Sequence, residues 1–374
     1  MPKASPLPAA PFAFIEARFF EPDETVSALE QRFMKHLRHL RDRGRIGAED
    51  EEAAVTGAAA ERDSWAAIDI SRKDQGRIAK RANRLVAQRK AASGLGHLKR
   101  EDAERLEGLR EGVRLIRLTS EHQADVLAAE LHAEFPWMGP ATEVVWHAMR
   151  RAAREGLAGV HLPPLLLDGP PGIGKSVWAR RLGTLLACPS VAIDATNENA
   201  SFGIVGSQRG WSTGGPGRVL QTILQTRVGN PIVIVDEIEK AGTAESSKGR
   251  SFDLATSLLP LLEGATAKRW TCPFYEVRFD MGWVNWVLTT NNWRLLPEPL
   301  LSRCPPIRLP RLASADLTGF ARRQGQQRGL SEISVEAIVA ALQHEAASVR
   351  HLNLRSVIRM LDRAAVLEAG PTAH

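Results

Sequence analysis

Cysteine is scarce in this chain: Cys188, Cys272 and Cys304 are the only three in 374 residues, and they lie far apart with no Cys-x-x-Cys. That excludes a zinc ribbon and points to a reducing compartment, the cytoplasm. Long apolar runs are absent too. No stretch approaches the roughly 18 residues that a bilayer-crossing helix needs. The N-terminus, MPKASPLPAAPFAF, lacks an apolar signal core and a clear cleavage site, so neither a membrane span nor a signal peptide is expected. No internal repeat, zinc-finger spacing or clear helix-turn-helix pattern is found.

What is present is an ordinary globular composition, 44% hydrophobic and 25% charged, in a length that suits two or three domains. The formal net charge is +6 and the isoelectric point about 9.5. Its distribution is more informative than its sum. Ser71 to Arg100 holds ten Lys/Arg against one acid, Asp74. Such a run is either a contact surface for phosphate or an acidic partner, or the solvated face of a basic helix.

Apolar spacings of three and four predict a helix from Asp23 to about Arg45, on Val26, Leu29, Phe33, Leu37 and Leu40. Gly47 to Glu61, acidic and Ala-rich, reads as a linker or mobile loop. Further helical patterns cover Ile70 to Ala92 and Arg100 to Ile116, separated by a Ser-Gly-Leu-Gly break, and then Thr119 to Phe135. After Pro136 the character changes. A helix over Ala141 to Glu155 precedes short apolar runs at Leu165–Leu167, Val191–Ile193, Ile232–Val235 and Trp286–Leu288, with helical patterns between them. Strands buried on both faces by crossover helices read this way, which predicts an α/β domain with a parallel sheet. From Ser314 the chain is helical again, in at least three segments.

Three motifs carry chemistry. Gly169-Pro170-Pro171-Gly172-Ile173-Gly174-Lys175-Ser176 fits G-x4-G-K-[ST], follows a predicted strand and opens a predicted helix that continues through Val177. Glycines let main-chain amides turn toward phosphates, and the helix N-terminus adds positive potential. Lys175 is placed for the β- and γ-phosphates of ATP, and the Ser176 hydroxyl for Mg²⁺. The second motif ends a strand in Asp236-Glu237, an acid to hold Mg²⁺ and a base to activate water. The third is the polar strand end Thr290-Asn291-Asn292, where an amide can sit beside the γ-phosphate, followed by Arg303 in Pro-Leu-Leu-Ser-Arg.

Taken in order with the helical C-terminus, these parts resemble an AAA+ ATPase, and within that superfamily the ATPase module of Lon-type proteases. LLLDGPPGIGKS, GSQRGWSTGGPGRVLQ, PIVIVDEIEKAG and VLTTNNWRLLPEPLLSR carry the likeness, which covers Pro163 to Pro310 well and the remainder loosely. It implies an α/β P-loop NTPase fold with a parallel central sheet. It also implies a helical N-terminal region over residues 1–135, an ATPase core over 136–310 and a helical lid over 311–374. A gapless match puts Asn292, rather than Asn291, at the sensor-1 position and Arg303 at the arginine finger that reaches a neighbour's ATP. Trp211 falls on the aromatic pore-loop position, although Ser212 replaces the usual aliphatic neighbour. Either Arg355, in the first turn after the N-cap Asn353, or Arg350 fits sensor 2.

The resemblance further implies a homo-oligomeric ring, a hexamer, that threads or remodels a protein substrate with ATP and Mg²⁺. The N-terminal helices would then recruit the substrate or an adaptor. The chain ends at His374, a few residues beyond its last predicted helix, so no peptidase domain and no proteolysis by this chain are expected. A reading from another class is a nucleic-acid-associated ATPase, such as a loader or a replication or repair switch, using the basic segment. A third is a switch that uses ATP only to assemble.

Overall fold

The computed structural model describes residues 11–21, 25–56, 70–196, 200–209, 214–241, 244–245, 251–252, 254–346 and 352–370. The chain forms two compact units, Glu16–Glu107 and the combination of Met1–Ile15 with Gly108–His374.

The smaller unit holds α1 (Val26–Thr56), α2 (Arg72–Ala92) and α3 (Arg100–Glu107). Helix α1 continues through most of the acidic stretch expected to be a linker. Its alanines and glutamates are strong helix formers, so the composition that suggested a linker also sustains the helix. Helices α1 and α2 run antiparallel, fixed by an Arg41–Asp74 ion pair at 2.6 Å and by Arg81 stacked on Phe33 at 5.5 Å. Helix α3 stops at Glu107, short of the expected Ile116. Gly112 there adopts φ +80, and a Cβ on it would lie 2.3 Å from the Phe12 carbonyl oxygen. The chain turns at this point and Val113 pairs with Phe12 through hydrogen bonds of 2.8 and 2.9 Å.

The larger unit opens with α4 (Glu121–Glu134) and α5 (Gly139–Arg154). Then come β1 (Leu165–Asp168), α6 (Lys175–Leu186), β2 (Ser190–Asp194), α7 (Ala200–Val205), α8 (Arg218–Thr226) and β3 (Ile232–Asp236). Two-residue strands β4 (Ala244–Glu245) and β5 (Ser251–Phe252) pair antiparallel, as do β6 (Trp270–Thr271) and β7 (Arg278–Phe279). Between these hairpins lie α9 (Leu254–Leu262) and α10 (Gly264–Ala267). The core closes with β8 (Asn285–Thr290), α11 (Glu298–Arg303) and β9 (Pro306–Arg308), and the lid is α12 (Ser314–Gln327), α13 (Glu332–Ala346) and α14 (Leu354–Ala369).

The central sheet has the order β2-β3-β8-β1-β9, and every pairing in it is parallel. The four expected strands are its interior and one edge. The fifth, β9, is three residues long and begins at Pro306, which lacks a donor and suits an edge. Strand β8 is buried at all six positions and β3 at its first four, which explains their unbroken apolar runs. Two buried amides stitch the end of the sheet where β3 and β8 begin. Asn230 exchanges hydrogen bonds with the Ile116 backbone at 2.8 Å, and Asn285 accepts from Leu162 at 2.7 Å. The opposite end, where Asp168, Asp236 and Thr290 emerge, is where open α/β sheets bind ligands. No helix among the described residues is long and apolar enough to cross a membrane.

Candidate active site

Strand β1 delivers the chain into the loop Gly169–Gly174, and α6 begins at Lys175. Gly172 and Gly174 adopt φ +78 and +91, in the left-handed region that glycine tolerates. Both also accept close approach from the lid. A Cβ at Gly172 would lie 2.9 Å from Asn353 Cγ, and one at Gly174 would lie 3.1 Å from Leu354 Cδ1. The Leu354 amide donates to the Gly172 carbonyl at 3.1 Å. From the other side the Trp137 indole donates to the Ile173 carbonyl at 2.8 Å. The loop is thus held by the lid and by the segment preceding α5.

Lys175 is 7% exposed. Its ammonium donates to the carbonyls of Gly169 and Pro170 at 2.7 and 3.1 Å and to Asn291 Oδ1 at 3.0 Å. Burial lowers its pKa, while the carboxylates of Glu239, Asp236, Asp168 and Glu237 act in the opposite direction. None of these acids has a hydrogen bond to it. A desolvated cation held by neutral acceptors is suited to an incoming anion.

The acid pair is positioned from the neighbouring strand. Thr289, fully buried on β8, donates its hydroxyl to Asp236 Oδ1 and accepts the Glu237 amide at 3.1 Å. Glu237 adopts φ 54 and ψ 48, an uncommon conformation for a residue with a side chain, as β3 breaks into a short 3-10 turn. Its carboxylate pairs with Lys240 at 2.7 Å. Glu239 accepts the Asn291 amide at 2.9 Å through Oε1, while its buried Oε2 has no hydrogen-bond partner.

A cavity of about 380 Å³ lies over these groups. Gly172, Gly174, Lys175, Ser176 and Val177 line it, together with Asp236, Glu237, Thr289 and Asn291. Phe135, Phe320, Leu354 and Ile358 give it apolar walls, and Arg355 also faces it. The residue types fit a nucleoside triphosphate: apolar walls for a base, amides and an ammonium for phosphates, and a hydroxyl and a carboxylate for Mg²⁺.

The profile of the family described as "ATPase family associated with various cellular activities (AAA)" matches residues 165–311. This stretch is an AAA ATPase domain. The chain is similar to the Lon protease of Magnetococcus marinus, at 28% identity over 183 residues, covering 48% of this chain and 22% of that protein. Against Lon protease 2 of Sorangium cellulosum the identity is 29% over 216 residues, covering 55% and 26%. The chain therefore spans about a quarter of the length of these curated relatives. Among solved structures, a closed-state Hsp104 reconstruction with ATPγS and FITC casein aligns at a TM-score of 0.51 and 16% identity, covering 79% of this chain and 52% of that one. At that identity the likeness concerns the fold.

Within the AAA domain, the structure brings Lys175, Ser176, Asp236 and Glu237 together, with Arg355 contributed from the lid. Asn292 is elsewhere: it caps the 3-10 turn Trp293–Leu295, its Oδ1 accepting the Arg294 amide at 3.2 Å. The amide that touches Lys175 belongs to Asn291. Arg303, at the end of α11, does not line the cavity. It donates to the Pro299 carbonyl at 2.9 Å and pairs with Glu263 at 3.1 Å. Trp211 and Arg350 lie outside the described residues. Thr289, Phe135, Phe320 and Ile358 were not anticipated. The apolar three come from the end of α4, from α12 and from α14, and carry no local signature. The three cysteines are free and buried, and burial pushes the thiols of Cys188 and Cys304 up to about 12.

Proposed function

We propose that this chain hydrolyses Mg·ATP in the cavity around Lys175 and uses the turnover to remodel a protein substrate, working as a hexameric ring of identical copies. The observation that carries the reading is the convergence of a buried ammonium, a glycine-turned loop and two carboxylates on one cavity. Main-chain amides of the loop and Lys175 bind the phosphates. Ser176 and Asp236 would hold Mg²⁺, whose charge offsets that of the phosphate oxygens. Glu237 faces the cavity and takes the proton of the attacking water. Asn291, already hydrogen-bonded to Lys175, orients the terminal phosphate, and Arg355 closes on it from the lid.

A ring accounts for Arg303. Its guanidinium lies outside its own cavity, so as an arginine finger it serves a site on an adjacent copy. Lys175→Ala and Arg303→Ala proteins are each expected to be inactive alone. Mixed rings should regain turnover, about a quarter of the wild-type rate at equal proportions, because a competent site needs one subunit of each kind in the right order. Mixed rings that form yet stay as inactive as their parents would exclude action across a boundary.

Similarity to Lon proteases supports a polypeptide as the substrate, with Trp211 as the gripping side chain. A flat aromatic contacts many side chains without demanding one sequence. Trp211→Ala is expected to leave basal ATP turnover within about twofold, well inside 1 kcal/mol, and to abolish its stimulation by an unfolded protein. Full stimulation in that variant would remove Trp211 from the mechanism. The buried, unpaired thiols fit a reducing cytoplasmic setting.

A further inference from the structure

Helix α2 carries a feature that nucleotide chemistry does not use. Lys73, Arg77, Lys80 and Arg84 occur at positions i, i+4, i+7 and i+11 and therefore form one stripe along the helix. All four are exposed, and none forms a hydrogen bond or ion pair among the described residues. The packed face of α2, marked by Ile78, Ala82 and Val86, is diametrically opposite. The helix has one acid, Asp74, and Arg41 and Ser71 engage its carboxylate at 2.6 and 2.8 Å. The stripe is thus a row of like charges three and four residues apart, an arrangement that costs a helix a few tenths of a kcal/mol per pair; Asp74, which attracts Arg77, is the one opposite charge on the helix, and no hydrogen bond or ion pair among the described residues offsets the rest.

We propose that this stripe binds nucleic acid through its phosphate backbone. The four cations extend about 16 Å along the helix at intervals of roughly 5 Å, a straight polycationic rail on the scale of successive phosphates. Its borders are Gly76, Ala87 and Ala91, all exposed, and a Cβ placed on Gly76 would meet nothing within 4 Å. Small neighbours allow a sugar-phosphate chain to approach closely. The stripe contains no aromatic or aliphatic side chain, whereas protein partners need an apolar centre to a contact. Without base-reading or stacking groups, recognition is independent of sequence. This inference stands apart from the nucleotide site, and its failure would leave that reading untouched.

The test is binding of the full chain to a short duplex DNA across a salt series. Four phosphate contacts predict a log–log salt slope of about −3.6, a loss of roughly 150-fold in affinity between 50 and 200 mM salt. The variant K73Q/R77Q/K80Q/R84Q should lose that slope and the affinity with it. Its helix should hold, because glutamine is a good helix former and the repulsion is gone. Equal helicity by circular dichroism and equal basal ATP turnover verify that the fold is intact. The charge-conserving variant K73R/R77K/K80R/R84K should bind as the wild type does, and a duplex of scrambled sequence should bind equally well. The proposal is overturned if the wild type shows no affinity for the duplex, if it binds polyglutamate but not DNA, or if the glutamine variant keeps the wild-type slope.

Discussion

A Glu237→Gln protein is expected to bind Mg·ATP with essentially unchanged affinity and to turn it over about 10²–10⁴ times more slowly, the usual contribution of a positioned general base. Glutamine keeps the shape of the side chain and an oxygen that accepts from Lys240, now 2.7 Å from the carboxylate. What it removes is the capacity to take a proton from water. Lys175→Ala makes the useful contrast. It deletes the cation from the phosphate site, so binding itself should be lost. Nucleotide titration and single-turnover phosphate release on the two variants separate the roles.

The structure also names the rival. Glu239 has a buried carboxylate oxygen without a hydrogen-bond partner and, of the carboxylates, most strongly opposes the burial effect on Lys175. It does not line the cavity, whereas Glu237 does. If the Glu237→Gln protein kept more than about a tenth of wild-type turnover, less than 1.4 kcal/mol of barrier, the base would have to be reassigned, with Glu239→Gln as the next variant to measure.

The second large effect is expected at Thr289, which touches no phosphate in the proposed arrangement. Its hydroxyl is the link between β8 and both acids: it donates to Asp236 and accepts from the amide of Glu237. Valine has nearly the same volume and fits the fully buried position. It leaves an acceptor and a donor unmet, at about 1–3 kcal/mol each. Released from that tether, Glu237 is free to leave its left-handed backbone conformation and Asp236 to turn away from the metal. Thr289→Val should therefore lower kcat by roughly tenfold or more, since each 1.4 kcal/mol of barrier is a factor of ten. It should also raise the Mg²⁺ concentration needed for half-maximal turnover. Thr289→Ser retains the hydroxyl and should restore both. A valine variant that melts earlier but keeps kcat and Mg²⁺ dependence would reduce Thr289 to a structural role.

The residues that were legible in sequence are those whose chemistry is contiguous. The glycines, Lys175 and Ser176 act within one turn of chain, so their spacing is itself the geometry, and the preceding apolar run fixes which end of the sheet they occupy. Asp236 and Glu237 were readable because a buried strand must end before two acids can follow it. The parallel sheet was readable because strands covered on both faces show continuous apolar runs. The acidic end of helix α1 is not legible, because the same residues serve a linker and a helix.

Tertiary structure alone separated the contacts of Asn291 from those of Asn292. The two share a residue type and sit side by side, and only the path of the chain leaving β8 sends one amide to Lys175 and commits the other to a cap. It alone placed Thr289 beneath the acid pair, a consequence of how β3 and β8 align, and gathered Phe135, Phe320 and Ile358 into one wall from three distant parts of the chain. Local spacing encodes what a single turn of backbone can present. Contacts between distant elements depend on strand register and helix packing, which the whole core sets and no short stretch of sequence records.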